Sequence, residues 1–381
     1  MKMNNVLILG AALLLAPLTS TLAQSTWETV DLLAPALGYY VLADSNGNFV
    51  STANDQSSTN RITNVSVSTD HGLTWQSIGQ IPEYGVRLAQ APDGTLYGEA
   101  NAVVNNLPSS RVWQSVDHGA TWTMLSNPSL TPSGQFGSVH LAAGNSGTVY
   151  LCGRIWPGGS GGWTVRKGVP TSNGYSWSTV DSYSIGNQAN GFCLRPATAP
   201  GQLDEVFVCG YVGSTWIVRH SLDSGATWTT LDSYNPGVSG QARGAAVGPD
   251  GSIYVAGVIS TTVNKTTQSG WLVRKSTNHG VSWTNVDYVA NASPYYNSTI
   301  AADAFGRVLV VGYVGSTWMA RGSSDGGATW TTTDLFLPTG YSSSIAYSAA
   351  CDAFGNFCVT GSMVKPGTSG SVTPIRRLAA P

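Results

Sequence analysis

Charge is scarce in this chain. Of 381 residues only 18 are Lys or Arg and 20 are Asp or Glu, for a formal net charge of −2. The charged share is 10%, where about 25% is usual. Without a basic excess the chain lacks the electrostatic footprint of nucleic-acid binding, and no polybasic run is present to hold an anionic membrane. Cysteine and histidine are also sparse, 5 of each. His140 and His220 stand apart from any His or Cys at ligand spacing, so neither a metal nor another cofactor is expected. Beyond the first residues no apolar run approaches the ~18 residues of a membrane span. What the chain has instead is glycine, 45 residues, and a polar surface that must be built from Ser, Thr, Asn and Gln. This composition points to an all-β, turn-rich, exported protein with no membrane insertion.

The amino terminus reads as an address. Lys2 precedes an apolar stretch from Val6 to Leu18, and Thr21-Leu22-Ala23 supplies small residues at the positions a signal peptidase reads. Residues 1–23 are expected to be a signal peptide cleaved after Ala23, leaving one domain over 24–381 that is secreted or periplasmic. In oxidising surroundings the spacing allows hairpin disulfides between Cys351 and Cys358 and between Cys193 and Cys209. The alternative is that all five cysteines are small buried hydrophobes.

The dominant signal is repetition. Ser68-Thr-Asp70-His-Gly72-Leu-Thr74-Trp75 recurs as Ser115-Val-Asp117-His-Gly119-Ala-Thr121-Trp122. It returns at Ser221–Trp228 and Ser323–Trp330, with Asn278 replacing Asp in Ser276–Trp283 and a degenerate copy ending at Trp177. This S-x-D-x-G-x-T-W pattern resembles the Asp-box, or bacterial neuraminidase repeat, of β-propellers. Its parts have a local logic: the Asp carboxylate accepts backbone N–H groups in a tight turn, Gly takes positive φ, and Trp packs between sheets.

Each interval between boxes contains a small-residue strand, a turn and a second strand, and a third strand. The second-strand signature appears seven times, around Phe49, Tyr97, Tyr150, Phe207, Tyr254, Leu309 and Phe357. The last repeat ends without a box, while Trp27 lies 48 residues before Trp75 and is in phase. The expected fold is therefore a seven-bladed β-propeller of four-stranded blades, whose last blade is closed by the mature N-terminal strand. In five repeats an Asp follows the box Trp by four residues (Asp31, Asp181, Asp232, Asp287, Asp334), and five third strands carry an Arg (Arg166, Arg219, Arg274, Arg321, and Arg376 or Arg377). Folding the hairpin at the box Gly predicts a cross-strand ion pair within each of these blades.

Functional candidates are the residues the repeat does not explain. Asp55, Glu83 and Glu99 belong to the face opposite the box turns, as do Arg61, Arg87, Arg111, Arg154 and Arg243. Trp156 is placed in a loop of that face, and Tyr39, Tyr40, Tyr84, Tyr295, Tyr296 and Tyr341 stand where inner strands begin. Rings, amides and a few charges suit sugars, whose C–H faces stack while hydroxyls take polar partners. A glycan or polysaccharide is thus the expected partner, with Trp156, Tyr84, Arg87, Arg243, Tyr295, Tyr296 and Tyr341 as ligand contacts. A protein partner is the other reading.

The Asp-box resemblance implies a sialidase alternative. It would use Arg87, Arg154 and Arg243 as a carboxylate clamp, Glu83 or Glu99 to activate a rim tyrosine, and Asp55 as acid/base. The sequence departs from sialidases in lacking their Arg-Ile-Pro motif and in having seven blades, not six. Seven-bladed Asp-box propellers also resemble the halves of xyloglucan-cleaving glycosidases, which need two propellers, and assembly factors of photosynthetic membranes, which bind protein. The reading favoured by the residues is a binding module without catalysis.

Overall fold

The computed structural model describes residues 26–33, 36–57, 61–104, 107–125, 135–156, 162–183, 188–195, 202–294, 299–368 and 370–380. At 101–104, 107–108, 135–139, 155–156, 188, 192–195 and 263 it describes the backbone alone. The fold is a seven-bladed β-propeller. Blade one consists of Ala36–Ala43, Phe49–Asp55, Thr63–Ser68 and Gln76–Ile81, paired in that order from the axis outward. Blades two to five repeat this plan, starting from inner strands Arg87–Gln90, Gln135–Ala143, Gln188–Arg195 and Ser239–Val247. In blade six the inner strand is split into Ala292–Pro294 and Ile300–Ala302. Blade seven takes Ser343–Cys351, Phe357–Val364 and Ser371–Leu378 from the end of the chain and Trp27–Leu33 from its beginning, with Trp27 opposite Leu378. The ring therefore closes as the repeat phase requires.

The core lies between blades. Trp163, Trp216, Trp271 and Trp318, one on each third strand of blades three to six, are fully buried. Trp216 packs among Val255, Ile259 and Leu272 of the next blade, and Trp318 among Ala346 and Val359. This explains some of the glycine content. A Cβ on Gly257 would stand 2.5 Å from the Trp216 ring, and one on Gly361 2.7 Å from the Trp318 ring.

The repeated turns are hydrogen-bonded as a unit. In Ser115–Trp122 the Ser115 hydroxyl donates to Asp117 and accepts the Gly119 N–H, while Asp117 accepts both the N–H and the hydroxyl of Thr121. The Trp122 indole donates to the Gly119 carbonyl. Glycine is not alone in the left-handed region: the residue before it, such as His71, His118 or Ser224, is there too, with φ of 60°, 58° and 55°. Hydrogen bonds from the Thr side chain and then the Thr backbone hold Asp117, Asp223 and Asp325 at a pKa of about 2.

The ion pairs form, but between blades and not within them. Arg219 of blade four grips Asp181 of blade three through Nε and Nη2, at 2.7 and 2.8 Å. Arg274 grips Asp232, Arg321 grips Asp287 and Arg376 grips Asp334 in the same bidentate way. The cause is a bulge. The register shifts between Val218 and Arg219, so that Asp232 faces Val218 and Arg219 faces Thr230. Because side chains alternate across a strand, that one-residue slip sends the Arg and the Asp of one blade to opposite faces of the sheet. Tyr183, Tyr234 and Phe336, each six residues after the repeat Trp, cover the guanidinium groups of Arg219, Arg274 and Arg376 at 4.2, 4.0 and 4.0 Å. Arg377 pairs with Glu28 instead. Arg166 keeps its place, but blade two offers it Ser126, which lies outside the described residues; burial lowers the Arg166 pKa to about 10.

The cysteine hairpin bridges do not form. Cys152, Cys209, Cys351 and Cys358 are free thiols. Cys351 stands opposite Phe357 and Cys358 opposite Ala350, so the two thiols leave opposite faces of their sheet. Cys209 faces Gly191, not Cys193.

Burial raises the carboxyl pKa of Asp232 and Asp334 even though their arginines pull it down. Desolvation therefore outweighs attraction, and these pairs orient the blades more than they stabilise them. Asp232→Asn, which strands Arg274, is expected to cost about 3–5 kcal/mol, whereas Asp232→Leu with Arg274→Met is expected to be near neutral. Double-mutant cycles by denaturant unfolding should find strong coupling between Arg219 and Asp181 and little between Arg219 and Asp232. A second expectation concerns acid. The depressed carboxylates at 117, 223 and 325 contribute stability that is present above an unfolded pKa of about 3.9 and lost as pH falls through about 2. Replacing all three by Asn, the residue blade five already uses at Asn278, should flatten the decline of Tm between pH 4 and 2.

Candidate functional site

On the face opposite the repeated turns, the axis is filled from one side. The inner-strand residue four before each turn holds the same register in every blade: Tyr40, Arg87, His140, Gly191, Gly244, Thr299 and Ser348. Blades four and five place glycine there, and blades one to three place large polar side chains. Tyr40, Arg87 and His140 are all buried.

Arg87 pairs across its hairpin with Glu99 at 3.0 Å and donates to the Tyr39 hydroxyl at 2.7 Å. In the other blades the position of Glu99 is held by Thr52, Cys152, Cys209, Ala256, Val311 and Thr360. Burial opposes the Arg87 charge, but Tyr39 and Glu99 favour it and leave its pKa raised. Burial also raises the Tyr39 phenol. Burial first, and then the Arg87 charge, lower His140 to about 4, so its ring is neutral at physiological pH. His140 Nδ1 lies 3.0 Å from the Leu141 carbonyl, which can only accept. Nδ1 is therefore the protonated nitrogen, and Nε2 accepts from the Tyr40 hydroxyl at 3.3 Å.

Nearer the surface, the loop into blade two is pinned by blade one. Asn54 Oδ1 accepts from the Gly85 N–H, the single Thr63 hydroxyl proton is shared between Asn54 Oδ1 and the Glu83 carbonyl, and Thr52 donates to the Val86 carbonyl. This loop holds Glu83 against Arg111 in an ion pair. It also holds the half-buried Tyr84 ring beneath the exposed Arg61, whose guanidinium is 5.8 Å from the ring centroid. At the entry to blade seven Lys365 covers Tyr341 at 5.5 Å.

The structure thus brings together Arg87, Glu99 and Tyr39, and separately Glu83 with Arg111 and Tyr84 with Arg61. It does not gather the three carboxylates. Asn54 points towards blade two, while its neighbour Asp55 turns to the other side of blade one, where it binds the Ser57 N–H and hydroxyl beside Leu33 of blade seven. Arg243 lies on blade five and donates to the Pro294 carbonyl and Ser293. Arg154 lies on the second strand of blade three, opposite Trp163. Trp156 ends that same strand instead of standing in the loop beyond it, and its side chain lies outside the described residues, as do Tyr295 and Tyr296 entirely. His140 was legible only as a histidine without a metal partner. The signal that finds it is that a position held by Gly, Thr or Ser in blades four to seven carries a ring here, as it does in blade one.

No family model matches the chain, and no curated protein matches it. Among solved structures it is similar to the GH74 enzyme of Niastella koreensis, with a TM-score of 0.59 and 18% identity over 91% of this chain and 55% of that one. It is also similar to polysaccharide lyase Uly1, at TM-score 0.53 and 10% identity over 90% of each chain. Saccharomyces cerevisiae Sqt1 follows at 0.51 and 11%, covering 94% of this chain and 99% of that one. The chain spans little more than half the length of the GH74 enzyme, and at these identities the likeness is one of fold.

Proposed function

We propose that this chain is an exported carbohydrate-binding propeller that reads glycans with the face opposite its repeated turns, and that those turns are Asp-boxes serving the fold. The observation that carries this reading is the state of the acidic groups. Glu99 is fully buried on Arg87, Glu83 is held by Arg111, and Asp55 faces a different blade interface. A retaining or inverting glycosidase needs two carboxyl groups facing one bond, about 5–9.5 Å apart. Nor are Arg87 and Arg243 available as a clamp, since each guanidinium is spent on its own neighbours. What remains accessible is a rim of rings and cations, Tyr84 with Arg61 and Tyr341 with Lys365, to which Trp156, Tyr295 and Tyr296 are added as candidates from the sequence. Such a rim suits sugar faces and their hydroxyl or acidic substituents. The carbohydrate-acting names of two similar folds agree with this choice of ligand class. Export after Ala23 and a single domain over 24–381 complete the proposal.

The test is binding measured together with product release. The mature protein is expected to bind members of a polysaccharide panel by calorimetry while mass spectrometry finds no new free sugar. Tyr84→Ala should weaken binding about two- to tenfold, the worth of one aromatic contact, with an unchanged unfolding profile. A released product would overturn the non-catalytic reading, and capture of a protein in place of any glycan would overturn the ligand class.

A further inference from the structure

Four of the seven blade interfaces carry the same socket. A guanidinium enters from the third strand of one blade, is gripped by the Asp four residues after the preceding blade's Trp, and donates to a side-chain oxygen on its own outer strand, a Thr hydroxyl in three sockets and the Asn285 amide oxygen in the fourth. In three of the four an aromatic ring six residues after that Trp covers it. For Arg219 these parts are Asp181, Thr230 and Tyr183.

The interface between blades seven and one has the parts without the arginine. Its Asp is Asp31, next to a bulge like those of the other outer strands. Ser66 stands where Arg219 would be, opposite Ser77 where Thr230 would be, and the register again shifts between Val65 and Ser66. Leu33 holds the place of the covering ring. The other interfaces that lack the pair differ. Between blades one and two, Trp113 replaces the Arg and packs into the layer, and Gly79 replaces the Asp with the backbone of Gly119 and Ala120 against it. Between two and three the Arg is kept. Only at blades seven and one, among the described residues, does removing the Arg leave space. A groove of about 300 Å³ lies there, lined by Leu33, Asp55, Asn64, Ser66, Ser77 and Gln80 among others, with no basic residue among the described residues of its walls. Asp31, two residues before Leu33 and therefore on the same face of their strand, is half-buried and accepts the Leu32 N–H.

The geometry points to a second binding site in this groove, at the interface of blades seven and one, for a guanidinium group on an aliphatic stem. The ligand's planar cation takes the place of the missing arginine: its N–H groups donate to Asp31 and to the Ser66 and Ser77 hydroxyls, and its stem lies along Leu33. The chemistry is that of arginine, supplied either as a free small molecule or as a side chain of a peptide. No bond is made or broken.

Butylguanidinium is the probe. Titrated into the mature protein, it should bind saturably in calorimetry and raise Tm. Ser66→Arg, which installs the fifth socket arginine, should abolish that binding and itself raise Tm. Asp31→Asn, at a half-exposed position, should fold normally and bind at least tenfold more weakly, which keeps the proposal testable if Ser66→Arg fails to fold. Free L-arginine and an Ala-Arg-Ala amide then separate the two sources: binding of both admits a peptide, and binding of the first alone restricts the groove to small molecules. No binding of butylguanidinium, or binding that both variants leave undiminished, overturns the proposal.

Discussion

The whole ring depends on one irregularity, the bulge that shifts the register between third and outer strands. Among the described residues it is present in six blades, at Val65/Ser66, Val165/Arg166, Val218/Arg219, Val273/Arg274, Ala320/Arg321 and Thr29/Asp31. A regular ladder would bring the conserved-in-register Arg and Asp of one hairpin together on one side, and each blade would satisfy itself. In blades four to six the bulge makes each blade incomplete. The arginine looks back to the previous sheet and the aspartate forward to the next, so these polar bonds of the rim exist only when the blades are assembled in order. The buried tryptophans give the layers their cohesion and are indifferent to small rotations; the bidentate pairs are directional and fix the angle.

This also explains what the sequence could and could not reveal. Blade count, strand order and the borrowed first strand were legible because they follow from the phase of Trp27, Trp75 and their successors, and phase survives any local kink. The pairing of Arg219 was not legible, because a one-residue bulge leaves no mark in the spacing while reversing the face on which every later side chain emerges. Asp55 and Glu83 fell to different interfaces for a related reason. Asn54 and Asp55 are consecutive on one strand, and only Asn54 can face the loop that carries Glu83. Exceptions to the repeat did identify Arg87 and Glu99, but not that they would neutralise each other, which needs the cross-strand register of a hairpin whose inner strand is only four residues long.

The axis shows how a repeat acquires individuality. Seven equivalent positions receive Tyr, Arg, His, Gly, Gly, Thr and Ser, and the large ones are consecutive. Their hydrogen bonds run between blades, from Arg87 to the Tyr39 hydroxyl and from Tyr40 to His140. A protonated imidazole would place a cation beside the Arg87 guanidinium in a buried space, so the network itself selects the neutral ring. Blades one to three are thereby tied to one another at the centre, and blades three to seven at the rim through the Arg–Asp sockets.

The borrowed first strand has a consequence for the order in which the molecule comes into being. Arg376 reaches Thr29 across 347 positions of chain, and six sheets are complete before the seventh has its outer edge. Until Ser371–Leu378 exists, Trp27–Leu33 has nowhere to pair. A chain that leaves a ribosome or crosses a membrane in sequence must therefore carry its earliest strand unsatisfied until its last residues arrive, so that any prematurely ended copy is left with an open sheet edge that others can recognise.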